Sequence, residues 1–229
     1  MRWSFALGVG LALAWAPTPA TAESVVVDRT LVRFTAPELG GARRPSFVFE
    51  RELAFEARLE ALGDPDHAGV EPFRDRHVTS ALERHIAETL LSRLHIDPEP
   101  SAVEIAAQAR AARVMLVERV GGVERLEAAA RAEQISELEV QTLLRRRARA
   151  SLYLDRMVAP MLRPTQSELR TLHASRQTPF STAPYEDVEP RLRRWYAGQR
   201  LASAVSAYYQ GARARLKVHF LHAPPAGSR

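Results

Sequence analysis

The sequence predicts a mostly α protein, a multi-helix core with a small β-sheet formed by strands from the N- and C-terminal parts of the chain. Three observations predict it. Ser/Thr-x-x-Glu capping boxes stand at three separate boundaries, apolar stripes recur at i, i+4 between them, and the two β-prone segments lie near opposite ends.

Val25 to Phe34 is β-branched and apolar, and predicts the first strand. Ser46 to Leu62 carries Phe49, Leu53, Phe55 and Leu59 and stops at Gly63-Asp64-Pro65, which predicts one helix over that range. Phe73 to Leu94 repeats Val78, Leu82, Ile86, Leu90 and Leu94, the buried face of a second helix, and Pro98 and Pro100 end it. Ser101 and Glu104 form the first capping box and open a helix to Val120, where Gly121-Gly122 breaks the chain before a short helix over Val123 to Ala132. Ser136 and Glu139 open a long helix with Val140, Leu144, Ala148 and Leu152 on one side. Thr165 and Glu168, after Pro164, open the next. Tyr185 to Leu216 holds a long helix carrying Val188, Leu192, Trp195, Leu201, Val205 and Tyr208, with Pro190 in its first turns. The segment 216–221 alternates in the period of a half-buried strand and closes the sheet.

The chain has 229 residues, 46% hydrophobic and 26% charged, enough to bury a core and too apolar for a disordered chain. It has no cysteine, which removes disulfides, thiolate metal sites and thiol nucleophiles. The net charge of +5 divides unevenly: Glu23 to Leu144 holds 15 basic and 22 acidic residues, and Arg145 to Arg229 holds 16 and 5. Lys217 is the only lysine among 32 basic residues.

Residues 1–22 read as a secretory signal: Arg2, an apolar run from Phe5 to Trp15, then the small-x-small site Ala20-Thr21-Ala22, with cleavage between Ala22 and Glu23. The run is shorter than the ~20 residues of a membrane span. The expectation is a soluble periplasmic protein: one helical domain over 23–221, and a disordered tail over 222–229.

No GxSxG, HExxH, Walker loop or GxGxxG is present, and no pair of carboxylates stands in an apolar context. His77 and His85, eight residues apart on one helix and so separated by about 12 Å of rise, read as surface or boundary residues. Arg145-Arg146-Arg147-Ala148-Arg149 reads as a solvated helix face paired with neighbouring Glu, and no nucleic-acid partner is expected. Phe47, Phe49, Phe55, Trp195, Tyr208 and Tyr209 are the aromatic candidates for a peptide-binding groove or for core.

The order of these segments resembles the helical chaperone core of the SurA-like and PrsA-like exported foldases. The carrying residues are Val26-Val27-Asp28-Arg29-Thr30-Leu31-Val32 for the first strand, Leu90 to Pro98 for the end of the second helix, and Val120 to Leu126 for the turn into the short helix. Gln134 to Val140, Arg163 to Arg170 and Tyr185 to Leu192 follow in the same order. The resemblance covers nearly all of the chain after residue 22. It departs where the family inserts a parvulin isomerase domain: 176–184 is only a short loop, so none of that family's catalytic residues carries over, and no enzymatic activity is expected. It also departs at Thr35 to Pro45, where Pro37, Gly40 and Gly41 replace the family's phrase after the first strand.

The resemblance implies an ATP-independent periplasmic chaperone that binds unfolded or extended segments of envelope and outer-membrane polypeptides, with no cofactor and no metal. The alternative is a non-catalytic structural or adaptor subunit for one envelope partner. The basic C-terminal half implies attraction for acidic client segments and weak contact with an anionic membrane surface.

Overall fold

The computed structural model describes residues 28–67 and 71–222. The proposed signal segment, its Ala22–Glu23 cleavage site, the start of the expected first strand (25–27) and the tail from residue 223 lie outside them. Among the described residues the chain forms three strands and seven α-helices. The strands are β1 (Thr30–Thr35), β2 (Ser46–Phe49) and β3 (Lys217–Phe220). The helices are α1 (Glu50–Leu62), α2 (Asp75–Arg93), α3 (Ala102–Val120), α4 (Val123–Ala132), α5 (Glu137–Tyr153), α6 (Gln166–Ala174) and α7 (Tyr185–Arg213). The expected fold class holds: a mostly helical chain with a small sheet joining its N- and C-terminal strands.

The sheet is antiparallel, in the order β2-β1-β3. Val32 pairs with Val48 on one side and with Phe220 on the other, and a bulge between Thr30 and Val32 leaves Leu31 fully buried. Beyond the ladder, Leu221 N donates to Leu31 O at 2.8 Å. One expectation fails here. Ser46–Phe49 is not the start of a helix but β2, with Val48 buried while Phe47 and Phe49 face solvent. Three β-prone residues gain a ladder with β1, and Phe49, extended at φ −91° and ψ 154°, becomes the cap from which α1 begins.

α1 is the central rod. It buries Leu53, Ala54, Phe55, Ala57, Leu59 and Ala61 in two different cores. The first joins the sheet (Leu31, Val32, Phe34, Val48) to α1, to Val78, Ile86 and Leu90 of α2, and to Ala212 at the end of α7. The second joins Phe55 and Leu59 to α3, α4 and α5 through Leu116, Val120, Leu126, Val140, Leu143 and Leu144.

All three expected capping boxes form. Ser101, Ser136 and Thr165 each accept from the backbone N–H three residues on, and Glu104, Glu139 and Glu168 reach back to the cap N–H. Gly121 and Gly122, at φ +85° and +127°, make the break between α3 and α4 that other residues would adopt only under strain.

α5 does not stop cleanly. It runs into a π-helical turn over Leu154–Val158 and a 3-10 turn over Ala159–Leu162. α7 has 29 residues, about 43 Å of helix, yet it buries only Val188 and Leu192 near one end and Ala212 near the other. Its middle bridges the α6 end of the molecule and the sheet as a strut. No helix among the described residues is long and apolar enough to cross a membrane.

Candidate functional site

The centre of the molecule holds a buried ionic cluster built by three helices. α1 supplies Glu52 and Glu56, one turn apart; α2 supplies His85 and Glu88; α5 supplies Arg146 and Arg147. Glu56 is 1% exposed and His85 3%. Arg146 Nη1 donates to Glu52 Oε1 at 2.8 Å, and its Nη2 to Glu56 Oε1 at 2.6 Å. His85 Nδ1 lies 2.9 Å from the same Glu56 oxygen, and Arg147 Nη2 reaches Glu56 Oε2 at 3.5 Å. Arg147 Nε stands 3.0 Å from Glu88 Oε1.

Burial alone would push the Glu56 carboxyl up. Arg146, the His85 hydrogen bond and Arg147 together outweigh it and hold the group well below the usual carboxylate range. Glu88 goes the other way: burial raises it, Arg147 opposes, and the neighbouring Glu56 charge raises it further. Burial disfavours the Arg146 cation, but Glu56, Glu52 and Glu88 more than compensate, so its proton is held more tightly than usual.

Glu52, Glu56 and His85 also offer three ligand atoms within 4.8 Å of one another. Arg146 already bonds both carboxylates of that triad, so the countercharge a dication would bring is supplied by a guanidinium. The cluster therefore locks α1, α2 and α5 together.

Two clefts flank it, on the two sides of α5. The first, of ≈ 570 Å³, is a groove between α2, α5 with its π turn, and α7. Leu91, Ala150, Leu154, Leu201, Val205 and Tyr209 form its apolar walls, and Glu83, Arg84 and Asp155 lie among its charged groups. The groove exists because α7 is held at its ends: Leu201, Val205 and Tyr209 are only half-buried. The π turn, a single-turn irregularity common at functional positions, places Leu154 and Asp155 on its wall. The second cleft, of ≈ 840 Å³, lies between the sheet, α1, α2, α3 and α5 and is more polar.

The six aromatic candidates do not converge. Phe55 is 1% exposed and belongs to the core. Phe47 lines the second cleft at 45% exposure, and Phe49 caps α1 beside it on the edge strand. Trp195 is half-buried, with its ring edge-on to Phe180 at 6.4 Å. Tyr208 and Tyr209 pack against the first core, and Tyr209 alone of the six reaches the groove. The Thr178 to Tyr185 segment stays against α6 and α7, where His173 Nε2 lies 3.0 Å from Ala183 O, and none of its residues lines the groove.

Burial and pairing of these charged side chains correct three expectations. His77 and His85 are buried, not boundary residues: His77 Nε2 lies 2.9 Å from Asp64 Oδ2, a contact that, with the Asp66 N–H and Arg76, lowers that carboxyl to about 2. Arg146 and Arg147 are largely buried and pair with α1 and α2 rather than with neighbours on α5. Carboxylates do stand in an apolar context, since Glu56 is flanked by the buried Phe55 and Ala57. That flanking was the available signal.

No protein-family model, no curated protein and no solved structure matches the chain.

Proposed function

We propose that the protein is an ATP-independent, chaperone-like binder of extended polypeptide segments, acting on unfolded envelope proteins after export to the periplasm. The observation that carries this reading is the groove under α7. It is open to solvent, its walls are apolar and come from three separate elements, and charged side chains stand among them. Such a surface takes an extended chain through non-directional apolar contact. The same contacts release the client when it buries its apolar residues by folding, so no nucleotide is required. Wall atoms supplied by a strut fixed only at its ends also adapt to clients of different bulk.

The test is suppression of aggregation of an unfolded outer-membrane protein. The chain is expected to suppress it, and the Leu201→Asp/Val205→Asp variant, placing two carboxylates on the half-buried face of α7, to lose that effect while keeping its helix content. Absence of binding to any unfolded polypeptide at micromolar concentration would refute the proposal.

A second reading, an adaptor for one envelope partner, is favoured by β2: an edge strand with Phe47 and Phe49 at 45% and 39% exposure. Recovery of one stoichiometric partner from periplasm, with no spectrum of clients, would select it.

A further inference from the structure

The second cleft is cationic, and α5 divides its side chains between the two clefts by helical spacing. Thr142, Arg145, Arg146 and Arg149 face the polar cleft, whereas Arg147, Ala150, Ser151 and Leu154 face the groove. With Arg93 from the end of α2, four guanidiniums line the polar cleft against one carboxylate, Glu52.

Two of the four are committed. Arg149 donates to Ser92 O and to Glu99 Oε1, both at 2.6 Å, and Arg146 belongs to the ionic cluster, where it also neutralises Glu52. Even so, Arg146 Nε is buried without a hydrogen-bond partner, with Glu88 Oε2 3.6 Å away. Arg93 and Arg145 are exposed and make no ion pair among the described residues. They stand on different helices, with Phe47 and Ile105 as apolar lining beside them.

We infer that this cleft is a binding site for a short acidic peptide segment, its carboxylates taken by Arg93 and Arg145 and an apolar side chain laid against Phe47. The guanidinium fork matches a carboxylate in bidentate fashion. Free cations on separate helices suit carboxylates spaced along a chain, and the apolar lining suits the side chains between them. A densely charged phosphate polymer, carrying no apolar side chains, would gain nothing from Phe47 and Ile105. The site goes beyond the apolar groove and does not depend on it: the ionic cluster stands between the two.

The test is fluorescence anisotropy with the full chain and a dye-labelled peptide alternating Glu with Leu and Phe, beside its Gln analogue. The acidic peptide is expected to bind about tenfold or more tightly than the Gln analogue, the worth of one charge-assisted contact, and to weaken as salt screens the exposed guanidiniums. The Arg93→Gln/Arg145→Gln variant is expected to lose that preference with an unchanged circular dichroism spectrum. Either single variant, expected to lose part of the preference, serves if the double one is unstable. Equal binding of the two peptides, or an acidic preference that survives both substitutions, would overturn the inference. Displacement of the peptide by polyphosphate or by anionic vesicles at lower concentration than by unlabelled peptide would also overturn it. Suppression of aggregation through the groove is expected to persist in the double variant, which separates failure at this site from failure of the chaperone reading.

Discussion

Replacing Glu56 by Gln removes one charge from the centre of the molecule while keeping the side chain's shape. At 1% exposure the carboxylate has essentially no water to replace its partners, and it faces Arg146 at 2.6 Å, His85 at 2.9 Å and Arg147 at 3.5 Å. Removing one member of a buried ion pair costs about 3–5 kcal/mol, because the remaining charge stays buried and uncompensated. Against a total stability of about 5–15 kcal/mol for an ordinary domain, that is a large fraction.

The loss carries a pH signature. The folded carboxyl is held below its ordinary value, so on acidification the unfolded chain takes up the proton first. The Glu56 contribution is complete above about pH 4.3, the unfolded value, and disappears as pH falls through the depressed folded value. Gln does not titrate, so the gap between parent and variant is widest at neutral pH and narrows in acid. Urea unfolding followed by circular dichroism at pH 7 and pH 3 measures both. With a slope of about 2–3 kcal/mol/M, the Glu56→Gln midpoint at pH 7 is expected to fall by more than about 1 M. Midpoints within about 0.2 M of each other at pH 7, or a gap that widens in acid, would refute the reasoning.

Glu88→Gln is expected to cost less, about 1–2 kcal/mol, since burial already raises this carboxyl and the folded chain therefore holds its proton more readily than the unfolded one; a loss equal to that of Glu56→Gln in the same urea titration would contradict this. Ser136→Ala removes the acceptor for Glu139 N at 3.3 Å and is expected to cost about 1 kcal/mol, a drop of about 2–4 °C in Tm by calorimetry for a chain of this size; an unchanged Tm would deny the cap any role in holding α5.

What the sequence shows and what it hides follow the reach of the interactions. The capping boxes at Ser101, Ser136 and Thr165 and the Gly121-Gly122 break are decided within about four residues, and each stands where the local pattern puts it. β2 was hidden because Ser46–Phe49 runs into α1 with no Gly or Pro between them, and Phe49 and Leu53 fit a helical stripe. Only pairing with β1 decides between strand and helix there. The ionic cluster was hidden for a stronger reason. Glu56, His85 and Arg146 are ordinary helix residues in sequence, and their meeting depends on how three helices cross. The Leu201, Val205 and Tyr209 face of α7 is legible as apolar, but its half-burial depends on a strut packed only at its ends.

The β2-β1-β3 order also sets how the molecule responds to a pull. β1 and β3 are antiparallel, with Val32 beside Phe220 and Thr35 beside Lys217. The chain therefore enters β1 and leaves β3 at the same end of their ladder. Tension between the two ends acts across the ladder rather than along it, and opens the pairs in sequence from Val32–Phe220 toward Thr35–Lys217. β3 follows α7 directly in the chain, so a pull that frees β3 is next borne by the α7 end that holds Ala212 and carries the Tyr209 wall of the groove.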